Sequence, residues 1–310
     1  MRVATIDIGT NTVLLLVAER REDGTLVALD ERATITRLGE GVDVSRRLSK
    51  PAIARTKACI DTYANVIRDL SVDRISVVGT SAMRDGAGGN ELTAHIQTTL
   101  GVAARVVSGR EEARLTFRGA LGGLHVAEHA DLSVFDIGGG STEVVFGRID
   151  DGAPLIEYSA SFDVGSVRLT ERHVSRDPPS PDECEVVSRS ARDAFATVPP
   201  LRGDLSPVGI AGTMTTLAAV SLGLSPYDGA RVHGHRMKRA DLRRVVGDLA
   251  RQNLDSRRHV AGMEPKRADV IVAGGFIALS LLDHWNADEV VVSDRGVRWG
   301  LAEELAGEET

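Results

Sequence analysis

The segment from Asp136 to Glu143, which reads DIGGGSTE, has the residue types of a phosphate and metal site. It follows an apolar run that predicts a buried strand, and its three consecutive glycines carry a cost in backbone entropy. Glycines allow backbone N–H groups to approach an anion closely. A tight turn would bring both carboxylates to one face, where they could hold Mg²⁺ together with water and substrate phosphates. The alternative is a plain glycine hairpin with two exposed acids.

A matching loop lies near the start of the chain, where the sequence from Asp7 to Thr12 reads DIGTNT. It also follows an apolar run and offers backbone N–H groups and small polar side chains in one turn. The two loops together predict two phosphate-binding hairpins on either side of a cleft. Asp7 is a candidate metal residue, either as a direct ligand or through another ligand. The candidate phosphate contacts in the two loops are Gly9, Thr10, Asn11, Gly138, Gly139, Gly140 and Ser141.

Two adjacent acids, Glu111 and Glu112, open a predicted helix after Ser108. Acidic side chains in a first helical turn are favoured by the helix dipole, which is a sufficient structural reason for either of them. The functional reading is that one carboxylate points inward as a general base for a water molecule. The residues alone leave both readings open.

Two strand-to-helix turns are further candidates for anion binding, because helix N-termini attract anions. The first contains Ser81 and Arg84, whose guanidinium could hold a phosphate in bidentate fashion. The second contains Gly212 and Thr213, and ordinary capping by Ser and Thr is the alternative for both. The weaker candidates, with a surface turn, a polar loop and a solvated helix start as alternatives, are Arg37–Gly41, His233–His235 and Lys266–Arg267.

The order of the apolar runs indicates an internal duplication of one α/β unit. Strand, Asp-Ile-Gly, small polar residues and strand occur at residues 3–13 and again at 133–144. A second pair, at residues 77–81 and 210–215, follows in the same order in each half. Chance similarity of short apolar runs is the alternative. Two known phosphate signatures, GxxxxGK[ST] and GxGxxG, do not fit the sequence.

Composition narrows the class of protein. The 310 residues carry a net charge of −7, so a polyanion would have to be held locally rather than by a general basic field. An aromatic content of 4% leaves few rings for stacking bases, which argues against nucleic acid as a partner. The two cysteines are far apart and fit a reducing compartment. No apolar run approaches the ~20 residues of a membrane span, and we expect a cytoplasmic protein.

The motifs at Asp7–Asn11, Gly79–Arg84, Ser108–Arg114, Asp136–Glu143 and Gly212–Thr213 occur together in the order found in one family. Over nearly its whole length the chain resembles the exopolyphosphatase and guanosine pentaphosphate phosphatase (Ppx/GppA) family, and specifically its short, two-domain members. The resemblance implies an α/β fold of the actin-like type shared with sugar kinases and heat-shock ATPases, duplicated, with the active site in a cleft between domains. We expect domain I at residues 1–125, joined by the C-terminal helix at 297–310, and domain II at 126–296.

The resemblance also implies roles for particular residues. Glu112 would be the catalytic base, and Asp136 and Glu143, with Asp7 as a further candidate, would hold Mg²⁺ or another divalent cation. A monovalent cation is a further cofactor candidate, and a homodimer is expected. By the resemblance, Asn11, Arg84, Ser141 and the glycine loops would contact phosphates. Ser81, Gly212, Thr213 and Arg267 are further candidate contacts, taken from the residues alone.

These expectations predict an exopolyphosphatase that uses a Glu-activated water on inorganic polyphosphate. Hydrolysis of guanosine pentaphosphate at its 5′ end is the nearest alternative, since it would use the same machinery. A kinase of the same fold would need an acceptor pocket and a general-base aspartate. A sensor that only binds nucleotide or polyphosphate would need no water-activating base.

Overall fold

The first apolar run forms an antiparallel hairpin in the computed structural model, which describes residues 1–124, 129–150, 153–203 and 205–307. Eleven strands lie within these ranges. They are β1 (Arg2–Ile8), β2 (Thr12–Arg20), β3 (Leu26–Ile35), β4 (Arg74–Gly79), β5 (Ala104–Val106), β6 (Leu132–Ile137), β7 (Thr142–Asp150), β8 (Ala153–Phe162), β9 (Val208–Ile210), β10 (His235–Lys238) and β11 (Glu289–Val292).

The helices connect and cover these strands. The helices of the described ranges are α1 (Val42–Ser45), α2 (Lys50–Asp69), α3 (Ser81–Asp85), α4 (Asn90–Leu100), α5 (Gly109–Leu121), α6 (Ser166–His173), α7 (Pro181–Phe195), α8 (Ala211–Leu222), α9 (Gly229–Val232), α10 (Arg239–Ala250), α11 (Leu254–Arg258), α12 (Ile271–His284) and α13 (Val297–Gly307). A 3-10 turn at Pro265–Arg267 precedes α12.

The chain divides into two compact units. Unit 1 comprises Met1–Gly119 and the segment that begins at Val297, and unit 2 comprises Ala120–Gly296. The boundary that the sequence suggests, between residues 125 and 126, lies outside the described residues.

The sheets of the two units repeat one strand order. Unit 1 has the order β3-β2-β1-β4-β5, and unit 2 has β8-β7-β6-β9-β11, with β10 added at the edge. In both, an antiparallel meander is followed by a parallel strand, with β1 beside β4 and β6 beside β9. The carboxyl ends of these parallel strands lie at one edge of each sheet, where α/β proteins bind ligands. The repeated order agrees with the duplication that the sequence indicates.

Each sheet is packed against its own helices. In unit 1, Ser49 is the N-cap of α2, and its side chain accepts a hydrogen bond from the N–H of Ala52, with Pro51 in the first turn. In unit 2, Ser180 and Glu183 form a capping box at the start of α7. The α12 helix is apolar on nearly all sides and is buried among the other helices of unit 2.

The α13 helix completes unit 1 from far along the chain. Its Trp299 and Ala302 pack with Val3 and Leu16 of the first hairpin. The carbonyl of Arg298 accepts a hydrogen bond from the Thr5 hydroxyl at 2.8 Å. The sheet of unit 1 is therefore partly covered by a helix that lies nearly three hundred residues after β1 in the sequence.

One segment differs from its simple alternative. Lys266–Arg267 is not the start of an α-helix, because it lies in the 3-10 turn at Pro265–Arg267 and α12 begins at Ile271. Within the described ranges, no helix combines the length and the apolar character needed to cross a bilayer.

Candidate active site

The unit 2 hairpin places Asp136 and Glu143 directly opposite each other on adjacent strands. Their Cβ atoms are therefore on the same face of the sheet, about 4.5–5.5 Å apart by the geometry of such pairs. Ser161 on β8 continues the row and donates a hydrogen bond from its Oγ to Glu143 Oε1 at 2.6 Å. Glu143 is only 1% exposed. Three strands thus hold a row of two carboxylates and one hydroxyl.

This row fits a hard divalent cation. Like charges directly opposite each other destabilise a sheet. A cation bound by both carboxylates would offset the repulsion between them. Within the described part of either unit, no three acidic, His or Cys side chains form a ready-made ligand set. Two carboxylates suit Mg²⁺ in particular, since it usually keeps several waters.

The glycine loop beside this row is held from one side by the start of α6. Gly138 O accepts from the N–H of Ser166 at 2.9 Å, and Gly139 O accepts from the N–H groups of Val167 and Arg168 at 2.9 and 3.0 Å. The loop carbonyls are thereby directed toward α6.

The loop N–H groups are directed the other way, because carbonyl and N–H point to opposite sides of a trans peptide plane. Within the described ranges, no group accepts a hydrogen bond from the backbone N–H of Gly139, Gly140 or Ser141. These three residues are buried, and buried N–H groups normally have partners. Three consecutive N–H groups of this kind form an anion-binding concavity.

Next to this loop, β9 leads into α8 through Gly212 and Thr213. The Thr213 hydroxyl donates to Ile137 O at 3.1 Å, which ties the start of α8 to the end of β6. A side chain at Gly212 would collide with the guanidinium of Arg267. Within the described part of the chain, Arg267 Nε is buried without a hydrogen-bond partner. Burial lowers the pKa of Arg267 below its usual value, with the nearby Glu264 opposing the shift.

The first-half loop has a similar support. Gly9 N–H donates to Thr12 O at 3.0 Å, as Gly138 N–H does to Ser141 O in the second loop. Thr10 O accepts from Gly39 N–H at 2.8 Å, and the carbonyl of Asn11 accepts from the two residues that follow β3. Within the described ranges, the N–H groups of Thr10 and Asn11 and the buried Oδ1 of Asn11 have no hydrogen-bond partner.

The two acids that open α5 have different surroundings. Ser108 caps the helix by accepting from Glu111 N–H at 3.2 Å, and the Glu111 side chain pairs with Arg105 in a partly exposed position. Glu112 points inward, with its side chain 8% exposed, and Glu112 Oε2 accepts from Arg84 Nη1 at 3.0 Å. Glu111 and Glu112 are equally favoured by the helix dipole, but only Glu112 is buried and paired with Arg84.

The remaining predicted residues of unit 1 are in or beside its sheet. Asp7 lies near the carboxyl end of β1, opposite Leu14 rather than a second acid. The Ser81 hydroxyl donates to Asp85 Oδ2 at 3.2 Å within α3. Arg84, on the same short helix, also donates to Val107 O at 3.1 Å. Arg84 is therefore brought together with Glu112, while Asp7 belongs to a different row from Asp136 and Glu143.

The weaker candidates are more ordered than their simple alternatives suggest. Arg37–Gly41 is not a surface turn, since Leu38 is fully buried and Gly39 supports the first loop. His233 Nδ1 lies 3.1 Å from Asp294 Oδ1, after β11. The sequence interpretation missed Gly165 and the start of α6, for which the only signal is a Gly-Ser pair before an apolar, basic stretch.

Comparisons with known proteins agree with these features. The model of the Ppx/GppA phosphatase family matches residues 16–309. The chain is 39% identical to Exopolyphosphatase 2 of Mycobacterium tuberculosis, across 99% of each chain. It is 32% identical to the Ppx/GppA enzyme of Aquifex aeolicus, with a TM-score of 0.81 over 98% of this chain and 99% of that one.

A further solved structure bears on the fold alone. An exopolyphosphatase from Cytophaga hutchinsonii is 24% identical, with a TM-score of 0.88 over 100% of this chain and 99% of that one. These structural likenesses confirm the predicted actin-like α/β fold. By motif order, strand order and matched length, the chain belongs to the Ppx/GppA phosphatase family.

Proposed function

We propose that this protein is an exopolyphosphatase that releases orthophosphate from the end of inorganic polyphosphate. The observation that carries the proposal is the unit 2 hairpin, where three N–H groups that have no acceptor among the described residues adjoin a pair of opposed carboxylates. That combination suits a substrate that is an anion along its whole length. The name of the M. tuberculosis relative also favours polyphosphate over guanosine pentaphosphate.

Phosphate binding is assigned to the two loops and to Arg267. The N–H groups of Gly139, Gly140 and Ser141 supply donors that need no reorganisation, which is the most effective form of anion stabilisation. The Gly9–Asn11 loop adds backbone donors and the Asn11 amide. Arg267 supplies a positive charge that Gly212 makes room for. Arg84 and Ser81, both engaged within unit 1, are proposed as additional contacts.

Asp136 and Glu143 would hold Mg²⁺, with Asp7 as a further candidate ligand. When bound, the cation supplies positive charge to the oxygens of the phosphoryl group that is transferred. Ser161 fixes the Glu143 carboxylate through its 2.6 Å hydrogen bond. The Glu143 ligand is therefore oriented before the substrate arrives.

Glu112 is proposed as the general base. Its carboxylate orients a water molecule and accepts a proton as the water oxygen bonds to the terminal phosphorus. The bond between that phosphorus and the bridging oxygen breaks, which gives orthophosphate and a chain shorter by one phosphate. Arg84 compensates the charge of the buried Glu112 carboxylate and restricts its orientation.

The test compares Glu112→Gln with Glu111→Gln in assays of phosphate release with Mg²⁺. A general base contributes ~10²–10⁴-fold, so Glu112→Gln should lower kcat by that factor while binding of polyphosphate is retained. Glu111→Gln is a matched control on the same helix turn and should stay within about twofold, since Glu111 pairs only at the surface. Equal activity of wild type and Glu112→Gln would refute the assignment.

Substrate choice separates the remaining readings. Short polyphosphate, long polyphosphate and guanosine pentaphosphate should be supplied in parallel to the wild-type protein. Release from the nucleotide alone would identify a pentaphosphatase. Binding without release from any of the three would identify a sensor, and transfer to an added acceptor would identify a kinase.

The cellular setting and the assembly are part of the proposal. Cys59 and Cys184 are both buried and unpaired, which suits a reducing, cytoplasmic location. The two compact units are proposed to be the two actin-like domains. A homodimer, expected from the family resemblance, can be tested by light scattering on the purified protein.

A further inference from the structure

The start of α6 contacts the glycine loop of unit 2 at backbone distance, although none of its residues has been given a role above. Gly165 precedes the helix, and a Cβ at this position would collide with the backbone of Gly139 and Gly140. The loop and the helix therefore approach each other at backbone distance, which only a glycine permits.

The carbonyls of all three loop glycines accept hydrogen bonds from this segment. Gly138 O accepts two hydrogen bonds from Ser166, one from its N–H at 2.9 Å and one from its hydroxyl at 3.2 Å. Gly139 O accepts from two N–H groups of the first helical turn. The last carbonyl, Gly140 O, accepts instead from a side chain, Arg168 Nε, at 2.6 Å.

Arg168 is an unusual residue for this position. Its side chain is 6% exposed, and it forms an ion pair at 3.5 Å with Asp163, whose own side chain is 81% exposed. Burying a guanidinium carries a desolvation cost that a surface arginine does not have. A short hydrogen bond from a charged donor to a backbone carbonyl is among the stronger neutral-acceptor contacts available.

The direction of Gly140 O determines the direction of the next N–H. The peptide between Gly140 and Ser141 is planar, so a donor that holds the carbonyl toward α6 holds the Ser141 N–H away from it. Glycine adopts positive and negative φ values about equally readily, so this peptide plane would rotate easily without a restraint. A turned peptide would present an oxygen, rather than a donor, to a phosphate.

We propose that Arg168 is a positioning residue that aims the Ser141 N–H at the substrate phosphate and acts through Gly140 O, without touching the substrate. The proposal rests on the phosphatase function proposed above. If Arg168 acts in this way, the reaction requires its Nε–H donor rather than its positive charge.

Three variants separate the donor from the charge. Arg168→Gln places an amide nitrogen as many bonds from Cα as Arg Nε, and it carries no charge. Arg168→Met has similar length and no donor. Arg168→Lys keeps the charge, but it has a methylene group in place of Nε and its ammonium lies one bond further out.

Phosphate release from polyphosphate and calorimetric binding of inorganic tripolyphosphate should be measured for each variant, with melting temperatures as a check on folding. We expect Arg168→Met to lower kcat/KM by roughly 10- to 100-fold, as for a lost oxyanion donor. Arg168→Gln should remain within about threefold of wild type. In ¹H–¹⁵N spectra, tripolyphosphate should shift the Ser141 amide in wild type and Arg168→Gln, and not in Arg168→Met.

Loss of activity in Arg168→Gln equal to that in Arg168→Met, with both folded, would overturn the proposal in favour of a charge effect. Arg168→Met within twofold of wild type would overturn it as well. If Arg168→Met does not fold, the comparison of Gln with Lys decides. The donor role requires Gln to exceed Lys, and the charge role requires the reverse. A wild-type protein that binds tripolyphosphate but releases no phosphate would refute the hydrolase function and leave the positioning role measurable by the amide shift.

Discussion

The two hairpins at the edges of the two sheets have the same turn and a different row of side chains behind it. In unit 2 the row reads Asp136, Glu143 and Ser161 across three strands. In unit 1 the matching row reads Asp7, Leu14 and Ala33. One fold has therefore retained the backbone that suits phosphate in both copies and the paired carboxylates in only one.

Unit 1 carries a different pair of charged side chains elsewhere. Glu112 and Arg84, on α5 and α3, form an ion pair in which Glu112 is buried and Arg84 is partly exposed. In our proposal, Glu112 is the base and the carboxylates of the unit 2 row hold the cation. The two copies thus share a scaffold and differ in the side chains that it carries.

The largest expected effect comes from making the unit 2 row resemble that of unit 1. Glu143→Gln removes one of the two opposed carboxylates and keeps the side-chain shape. Because a bound cation stabilises developing charge by several kcal/mol, kcat/KM should fall roughly 100-fold or more. Calorimetry with Mg²⁺ should show weaker binding independently of turnover. Glu157→Gln, an exposed acid on β8, is the control, and a similar fall there would contradict the cation assignment.

The next effect concerns the arginine packed against Gly212. Arg267→Gln removes a half-buried charged donor, and a hydrogen bond to a charged group is worth ~1.5–3 kcal/mol, which is roughly 10- to 100-fold in affinity. The KM for polyphosphate should rise by that factor, with a smaller change in kcat. Gly212→Ala should act in the same direction, because a methyl group there displaces the guanidinium. Lys266→Gln, at the exposed neighbouring position, should leave KM unchanged.

A smaller effect is expected at the end of the row. Ser161→Ala removes the hydrogen bond that orients Glu143, and loss of such an outer partner weakens metal affinity by about 10-fold. The Mg²⁺ concentration for half-maximal activity should rise accordingly. Ala33→Ser, at the corresponding place in unit 1, should change nothing. Equal effects of both would mean that the two rows are not functionally distinct.

The smallest effect is on stability. Ala211, at the start of α8, has a φ of 65°, a left-handed conformation that costs a non-glycine residue about 1–2 kcal/mol. In the described part of unit 1, the matching turn after β4 contains no non-glycine residue with a positive φ. Ala211→Gly should raise the free energy of unfolding by up to about 1 kcal/mol, measured by chemical denaturation. A lower stability would show that the Ala211 conformation is not strained.

The spacing of apolar residues and the motifs in the sequence were sufficient to predict the hairpins, their glycine loops and the duplication. The opposed placement of Asp136 and Glu143 was also predictable, since a four-residue turn fixes the register of a hairpin. Which of Glu111 and Glu112 points inward could not be predicted from the residues alone. Both suit a first helical turn, and only the surroundings, with Arg105 for one and Arg84 for the other, distinguish them.

The support behind the loops was the least predictable part. The start of α6 acts mainly through backbone N–H groups, which every residue except proline has, so the sequence contains little sign of it. Gly39 and Gly165 would have been the best signals, as glycines whose Cβ would meet the opposing loop.

The position of α13 has a consequence for how the protein is made. Met1–Gly119 is synthesised before Ala120–Gly296, and the helix that carries Trp299 and Ala302 is synthesised after both. Synthesis of unit 1 therefore begins before that of unit 2 and is completed after it. The apolar sheet surface that this helix covers stays exposed while unit 2 is being made.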